Sequence, residues 1–162
     1  KGQMMVGFNT YFMTWTTYGT WLPGDHRGWR KHHLGEQPPQ PRLEDWCRER
    51  MNEPSVLLDA CQQHAVESAC RTHAKIRLWG LHAICARSNH VHVAITSDAG
   101  PLKVRDQLKA NATRALRELP DPVKNKKIWT RRGDIEAILD EENLERVVLY
   151  IEEAQDRMNR RK

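Results

Sequence analysis

The sequence lacks any apolar run close to the roughly 20 residues that a membrane-spanning helix needs, so no membrane partner is expected. Residues 1–10 lack the long apolar stretch of a secretory signal, and the expected localisation is therefore cytoplasmic. The four cysteines, Cys47, Cys61, Cys70 and Cys85, include no C-x-x-C pair, which argues against a zinc ribbon. In a reducing cytosol they are expected as small buried hydrophobes. No internal repeat is visible, so a stacked-repeat architecture is not expected.

What is present suits one globular domain spanning 1–162: 162 residues, 29% charged and 39% hydrophobic. The formal net charge of +5 fits a nucleic-acid partner without proving one. Tyr11–Trp21, rich in aromatic and β-branched residues, reads as a strand ended by Gly19 and the Pro23-Gly24 pair. A long irregular insertion follows at about 24–54, with a short helix near Leu43–Met51. Ser55 is placed to cap a helix running to about His73, in which Val56, Leu57, Ala60, Cys61, His64, Ala65 and Ala69 approximate an apolar stripe.

Lys75–Ala86 and His90–Thr96 read as two strands joined in a hairpin at Ser88-Asn89. Pro101 opens a second helix with Val104, Leu108, Ala112, Ala115 and Leu116 on one face, ended by Pro120 and Pro122. Lys126–Thr130 reads as a short strand, and a last helix runs from about Leu144 to Asn159 with capping candidates at Asp140–Asn143. The expected class is α+β: a ferredoxin-like βαββαβ antiparallel sheet with helices on one face, plus a C-terminal helix.

Three groups of residues carry chemistry. Strand alternation points His90 and His92 to one face, with Cα atoms roughly 6.5–7 Å apart, while Val91, Val93 and Ile95 point to the helix layer. Two such imidazoles can grip one divalent cation; an isolated H-x-H pair is more often polar decoration of a solvated sheet, so the motif alone is weak. Tyr150 lies in the last helix and Glu153 follows at i+3 on the same helix face, so hydroxyl and carboxylate can converge. Taken alone, Tyr150 also reads as a core aromatic. Gln155, five residues on, points elsewhere in a regular helix.

Aromatic and basic residues form the third group: Trp21, Arg27, Trp29, Arg30, Lys31, His32 and His33 in the insertion, then Lys124, Lys126, Lys127, Arg131 and Arg132 around Trp129. Single-stranded nucleic acid is held by cations at its phosphates and flat rings at its bases. Trp129 also reads as a core residue, and Arg157, Arg160, Arg161 and Lys162 as a solvated basic tail.

In this order and spacing the motifs resemble the single-tyrosine HUH transposases, including the REP-associated tyrosine transposases. SNHVHVAI holds two histidines separated by a hydrophobic residue, as the HUH name denotes, and LYIEEAQ places Tyr150 in a late helix as in that family. VRDQLKANATRAL resembles the helix after the HUH strand, and IWTRRG the strand that follows. YFMTWTTYGTWLPGD resembles a branch with a long insertion after the first strand, so the resemblance covers nearly the whole chain. One position departs: where many members carry glutamine or asparagine four residues after the tyrosine, this chain has Ala154.

The resemblance implies Tyr150 as nucleophile, and Mg²⁺ or Mn²⁺ held by His90, His92 and either Glu153 or Gln155. It implies single-stranded DNA with hairpin ends as partner, cleaved and rejoined through a 5′-phosphotyrosine. It further implies a homodimer with Tyr150 acting in cis or in trans, a nucleoid-associated location, and DNA contacts from Trp21, Arg27, Trp29, Arg30, Lys31, Lys126, Lys127, Arg131 and Arg132. Three other readings stand beside it: a non-catalytic ferredoxin-like nucleic-acid-binding domain, a host-adopted processor of repeated chromosomal hairpins, and a metal-dependent hydrolase unrelated to DNA.

Overall fold

The computed structural model describes residues 7–159, with side chains as far as Glu153. Its elements run β1 (Asn9–Thr16), β2 (Trp29–Lys31), β3 (Gly35–Gln37), α1 (Pro41–Glu49), α2 (Ala60–Arg77), β4 (Gly80–Ala86), β5 (His90–Ser97), α3 (Pro101–Glu118), β6 (Asp134–Ile138) and α4 (Glu141–Asn159). Four strands form one antiparallel sheet in the order β4-β5-β1-β6, while β2 and β3 make a separate two-stranded hairpin. With β1 between β5 and β6, the large sheet has the split βαβ order of the ferredoxin-like arrangement.

Alternation sorts the side chains to two faces. Met13, Trp15, Val91, Val93 and Ile95 meet Val66, Cys70 and Ala74 of α2 and Val104, Leu108, Ala112 and Leu116 of α3 in the main core. The four α3 residues recur every fourth position and are fully buried, so they form one continuous stripe. Burial of each leucine in that stripe contributes about 1.5–3 kcal/mol. The opposite face of the sheet is covered by α4: Ile151, 1% exposed, packs with Ala83, Cys85 and Ala94, flanked by Phe12, Leu144, Val147 and Val148. Helices α2 and α3 thus share one face, as expected, and the added C-terminal helix takes the other.

Several boundaries differ from the sequence reading. The first strand ends at Thr16, not Trp21, because Thr17–Thr20 turn back on themselves: the Thr20 hydroxyl donates to the Thr17 carbonyl and Gly19 has φ +77°. Ser55 does not cap α2. Asp59 does, accepting from the Gln62 backbone N–H while the Gln62 side chain accepts from the Asp59 N–H, a reciprocal capping box. Val56 and Leu58 are buried from an extended segment before the helix, and Leu57 between them is exposed.

The helix itself runs on to Arg77, and Leu78 closes it in the left-handed region at φ +59°, so the next strand starts at Gly80 rather than Lys75. Lys126–Thr130 forms no strand; it joins the sheet by one bridge, Thr17 to Trp129, made by the Tyr18 N–H on the Ile128 carbonyl and the Thr130 N–H on the Thr16 carbonyl. Before that bridge the Lys126 and Lys127 N–H groups donate to the Glu53 carboxylate instead of to a strand. The strand at this edge is β6, in which Ile135 packs on the main core beside Met13 while Asp134 and Glu136 alternate to the other face and are exposed. Of the cysteines, Cys70 and Cys85 are buried, but Cys47 is half-buried and Cys61 exposed, since Cys61 lies on the outer side of α2.

The insertion is ordered. Its β2–β3 hairpin leads into α1, and Gly24 (φ +89°) lies so close to the start of α1 that a Cβ there would stand 2.4 Å from the Gln40 carbonyl oxygen. Among the described residues no helix is long and apolar enough to cross a membrane.

Candidate active site

The β1–β5 register sets His90 opposite Thr16 and His92 opposite Thr14, and β4 sets Cys85 beside His92. Both imidazoles therefore stand on the face covered by α4, with ring centroids 4.6 Å apart. Each ring is held by its Nδ1. The Thr14 hydroxyl lies 2.8 Å from Nδ1 of His92, and Oδ1 of Asn89 lies 2.6 Å from Nδ1 of His90. A neutral imidazole whose Nδ1–H is so engaged offers Nε2 as a lone-pair donor.

Burial, with the nearby Arg87 and Arg27 charges, pulls His90 down to about 4. Burial, His90 and Arg87 pull His92 down to about 3. Both rings are neutral at pH 7, the form that ligates a metal. The donor set fits Mg²⁺ poorly on nitrogen alone and fits Mn²⁺ or a similar divalent ion well, with oxygen ligands completing the site.

Tyr150 comes to this pair from α4. Ile151 seats the helix in the sheet, so the preceding residue projects at the helix margin: Tyr150 is 55% exposed. Its ring centroid lies 5.7 Å from that of His92 and 6.2 Å from that of Phe12, and Phe12 stacks on His92 at 5.6 Å. The phenol is thus beside the imidazole pair of the same chain and open to an incoming ligand.

Glu153 is exposed, one turn on. Among the described residues, the group of three carboxylate, histidine or cysteine ligand atoms close enough to share an ion is Asp25, His26 and Glu44; His90 and His92 belong to no such triple. The Gln155 side chain lies outside the described residues, as do the side chain of Arg157 and the residues Arg160, Arg161 and Lys162. The Asp25–His26–Glu44 group, which sequence spacing did not suggest, is already compensated by guanidinium groups. Arg27 grips Asp25 with Nε and Nη2 at 2.8 and 2.7 Å, and Arg48 binds Glu44 at 2.6 Å.

The basic and aromatic candidates divide. Arg27 is committed to the buried Asp25 and stacks at 3.9 Å over Trp21, which is 39% exposed. Arg30 pairs with Asp134 at 3.0 Å, and Asp134 is the β6 partner of Thr14, so the pair ties the small hairpin to the row of the sheet that carries His92. Trp29 is half-buried with its Nε1–H on the Pro38 carbonyl. Lys31, Lys126, Lys127, Arg131 and Arg132 are exposed. Trp129 packs edge-on against Trp15 at 6.2 Å and donates to Thr113, which makes it part of the core's margin. Sequence reasoning missed Thr14, Asn89 and Arg87; only Asn89 gave a signal, as the residue directly before the histidine pair.

No family model and no curated protein matches the sequence. Among solved structures, a REP-associated tyrosine transposase bound to a REP hairpin is similar in fold, with a TM-score of 0.53 and 17% identity over 88% of this chain. The chain spans 64% of that transposase's length. A candidate transposase of Deinococcus radiodurans R1 aligns over 94% of this chain and 95% of its own, at 17% identity and a TM-score of 0.48. By its sheet order, its helix layers and this structural likeness, the chain has the fold of a REP-associated tyrosine transposase.

Proposed function

We propose that the protein is a metal-dependent transposase or single-strand endonuclease that cleaves and rejoins hairpin-bearing single-stranded DNA, with Tyr150 as its nucleophile. The observation that carries this reading is the contact between two features far apart in sequence: the His92 ring in β5 and the Tyr150 ring in α4, 5.7 Å apart.

His90 and His92 would hold a divalent ion, Mg²⁺ or Mn²⁺, with Glu153 or Gln155 as the third ligand. When bound, the ion would supply Lewis acidity. Tyr150 gives up its phenolic proton, and its Oη forms a bond to phosphorus as the bond from phosphorus to the 3′ oxygen breaks. The leaving oxygen takes a proton to become a 3′-hydroxyl, and the DNA stays attached as a 5′-phosphotyrosine. The reverse attack by a 3′-hydroxyl rejoins a strand, so no nucleotide cofactor is consumed.

An unperturbed phenol has a pKa near 10, so a base has to take its proton at neutral pH; Glu153 on the same helix is the candidate. The exposed Lys31, Lys126, Lys127, Arg131 and Arg132, with Trp21 and Trp29 around the small hairpin, form the DNA-binding set, while Arg27 and Arg30 shape that hairpin through Asp25 and Asp134. The protein works as a homodimer at the nucleoid, as the resemblance in sequence implies.

The test is to incubate the full chain with labelled hairpin-bearing single-stranded DNA and Mn²⁺ and to run a denaturing gel. A labelled protein band that disappears with Tyr150→Phe is expected. No such band from any of several hairpin substrates leaves a non-catalytic nucleic-acid-binding domain as the better reading.

A further inference from the structure

Arg87 is a half-buried cation that the proposed chemistry has not used. It closes the β4–β5 hairpin, its backbone N–H donating to the His90 carbonyl at 2.8 Å. The turn around it is pinned, since Leu58 N–H donates to Ser88 at 2.7 Å and Thr17 N–H to Asn89 at 2.8 Å. From this fixed base its Nε and Nη2 are both buried and neither forms a hydrogen bond of good geometry, the neighbouring group being the Cys85 thiol, a weak acceptor. Leaving two charged donors unsatisfied costs several kcal/mol, so such a pair calls for an explanation by function.

The two orphan atoms form one edge of the guanidinium. Arg27, in the same protein, uses that same edge to grip the two carboxylate oxygens of Asp25 at 2.8 and 2.7 Å. A planar fork of this kind matches two oxygens of a carboxylate or a phosphate. The positive charge of Arg87 also acts on both His90 and His92, which places it in their neighbourhood.

We propose that Arg87 is the oxyanion-binding residue of this site, its Nε–Nη2 edge taking two non-bridging oxygens of the phosphodiester presented to His90, His92 and Tyr150. The proposal rests on the phosphoryl-transfer reading of the site. Both atoms are closed off from solvent, so capture requires the side chain to rotate toward the arriving phosphate. Held there, Arg87 balances the charge that accumulates on the phosphate oxygens during attack.

The test follows the Arg87 Nε–H signal by ¹⁵N NMR in the full wild-type chain, the signal being identified by its loss in Arg87→Lys. Inorganic phosphate is titrated first. A hairpin oligonucleotide is then titrated into Tyr150→Phe, which does not cleave it. The signal is expected to shift and saturate with both, and at lower concentration with the oligonucleotide. Arg87→Gln and Arg87→Lys are both expected to slow adduct formation roughly a hundredfold.

An Nε–H signal unmoved by either ligand overturns the proposal, even if neither variant folds. Full activity of Arg87→Lys overturns the fork geometry. The two readings also fail separately. An adduct in wild type with an unmoved signal and a fully active Arg87→Gln removes only the role of Arg87. A saturating signal with no adduct on any substrate removes the phosphoryl-transfer reading and leaves a phosphate-binding fork.

Discussion

Thr14 and His92 face each other across β1 and β5, and the threonine hydroxyl lies 2.8 Å from the imidazole Nδ1. The bond fixes the rotation of the ring and, when the hydroxyl accepts, reserves the Nδ1 proton so that Nε2 is left to ligate. Thr14→Val keeps the shape and removes the acceptor. Mn²⁺ affinity, followed by calorimetry without DNA, is expected to fall about tenfold or more, and Thr14→Ser to restore most of it. Equal affinity in all three proteins means that His92 is oriented by packing alone.

Ile151, fully buried against Ala83, Cys85 and Ala94, holds α4 on the sheet, while its neighbour Tyr150 is largely exposed. The two should separate cleanly. Ile151→Ala is expected to lower stability by about 2–5 kcal/mol in urea unfolding. Tyr150→Phe is expected to change stability by less than about 0.5 kcal/mol. If Tyr150→Phe is the more damaging of the two, the tyrosine is a packing residue and its proposed role as nucleophile weakens.

Asp25 is held down to about 2 from an ordinary 3.8, chiefly by the side-chain bonds of Arg27, and its side chain is 5% exposed. Between these values the unfolded chain binds a proton that the folded chain refuses. The resulting stability is therefore complete above about pH 4 and is lost as the pH falls through about 2, and it amounts to about 2 kcal/mol. Urea midpoints of wild type and Asp25→Asn should differ at pH 6 and converge toward pH 2. A gap independent of pH would show that the Arg27 pair contributes no net linkage.

Lys126 and Lys127 have exposed side chains and backbone N–H groups anchored on Glu53, so their ammonium groups are free to meet phosphates from a fixed base. Removing both with alanine should weaken single-stranded DNA binding at low salt. It should also flatten the slope of log K against log salt by about 1.4, since each phosphate contact on a single strand contributes about 0.7. Fluorescence anisotropy at several salt concentrations reads the slope directly, and an unchanged slope takes these two residues out of the interface.

What could be read from the residues was local. The facing of His90 and His92, the burial of Val91, Val93 and Ile95, and the α3 stripe from Val104 to Leu116 all follow from fixed strand and helix periods. The fourth strand was not legible. Ile128 and Trp129 look like strand residues and do enter the core, but the edge is taken by Asp134–Ile138, a five-residue run whose Ile135 pairs with Met13 and packs on the core, too short and too charged to stand out as a strand. Equally hidden were the assignments of partners: that Arg27 is spent on Asp25 and Arg30 on Asp134, while Nε and Nη2 of Arg87 are buried without a hydrogen-bond partner.

The sequence by itself determined which side chains share a strand or helix face, because backbone geometry repeats every two or 3.6 residues whatever lies around it. Only the tertiary structure decided that α4 crosses to the histidine face and sets Tyr150 beside His92. That choice depends on Ile151 finding the shallow apolar seat of Ala83, Cys85 and Ala94, three small residues from two strands that become one surface only after the sheet has formed.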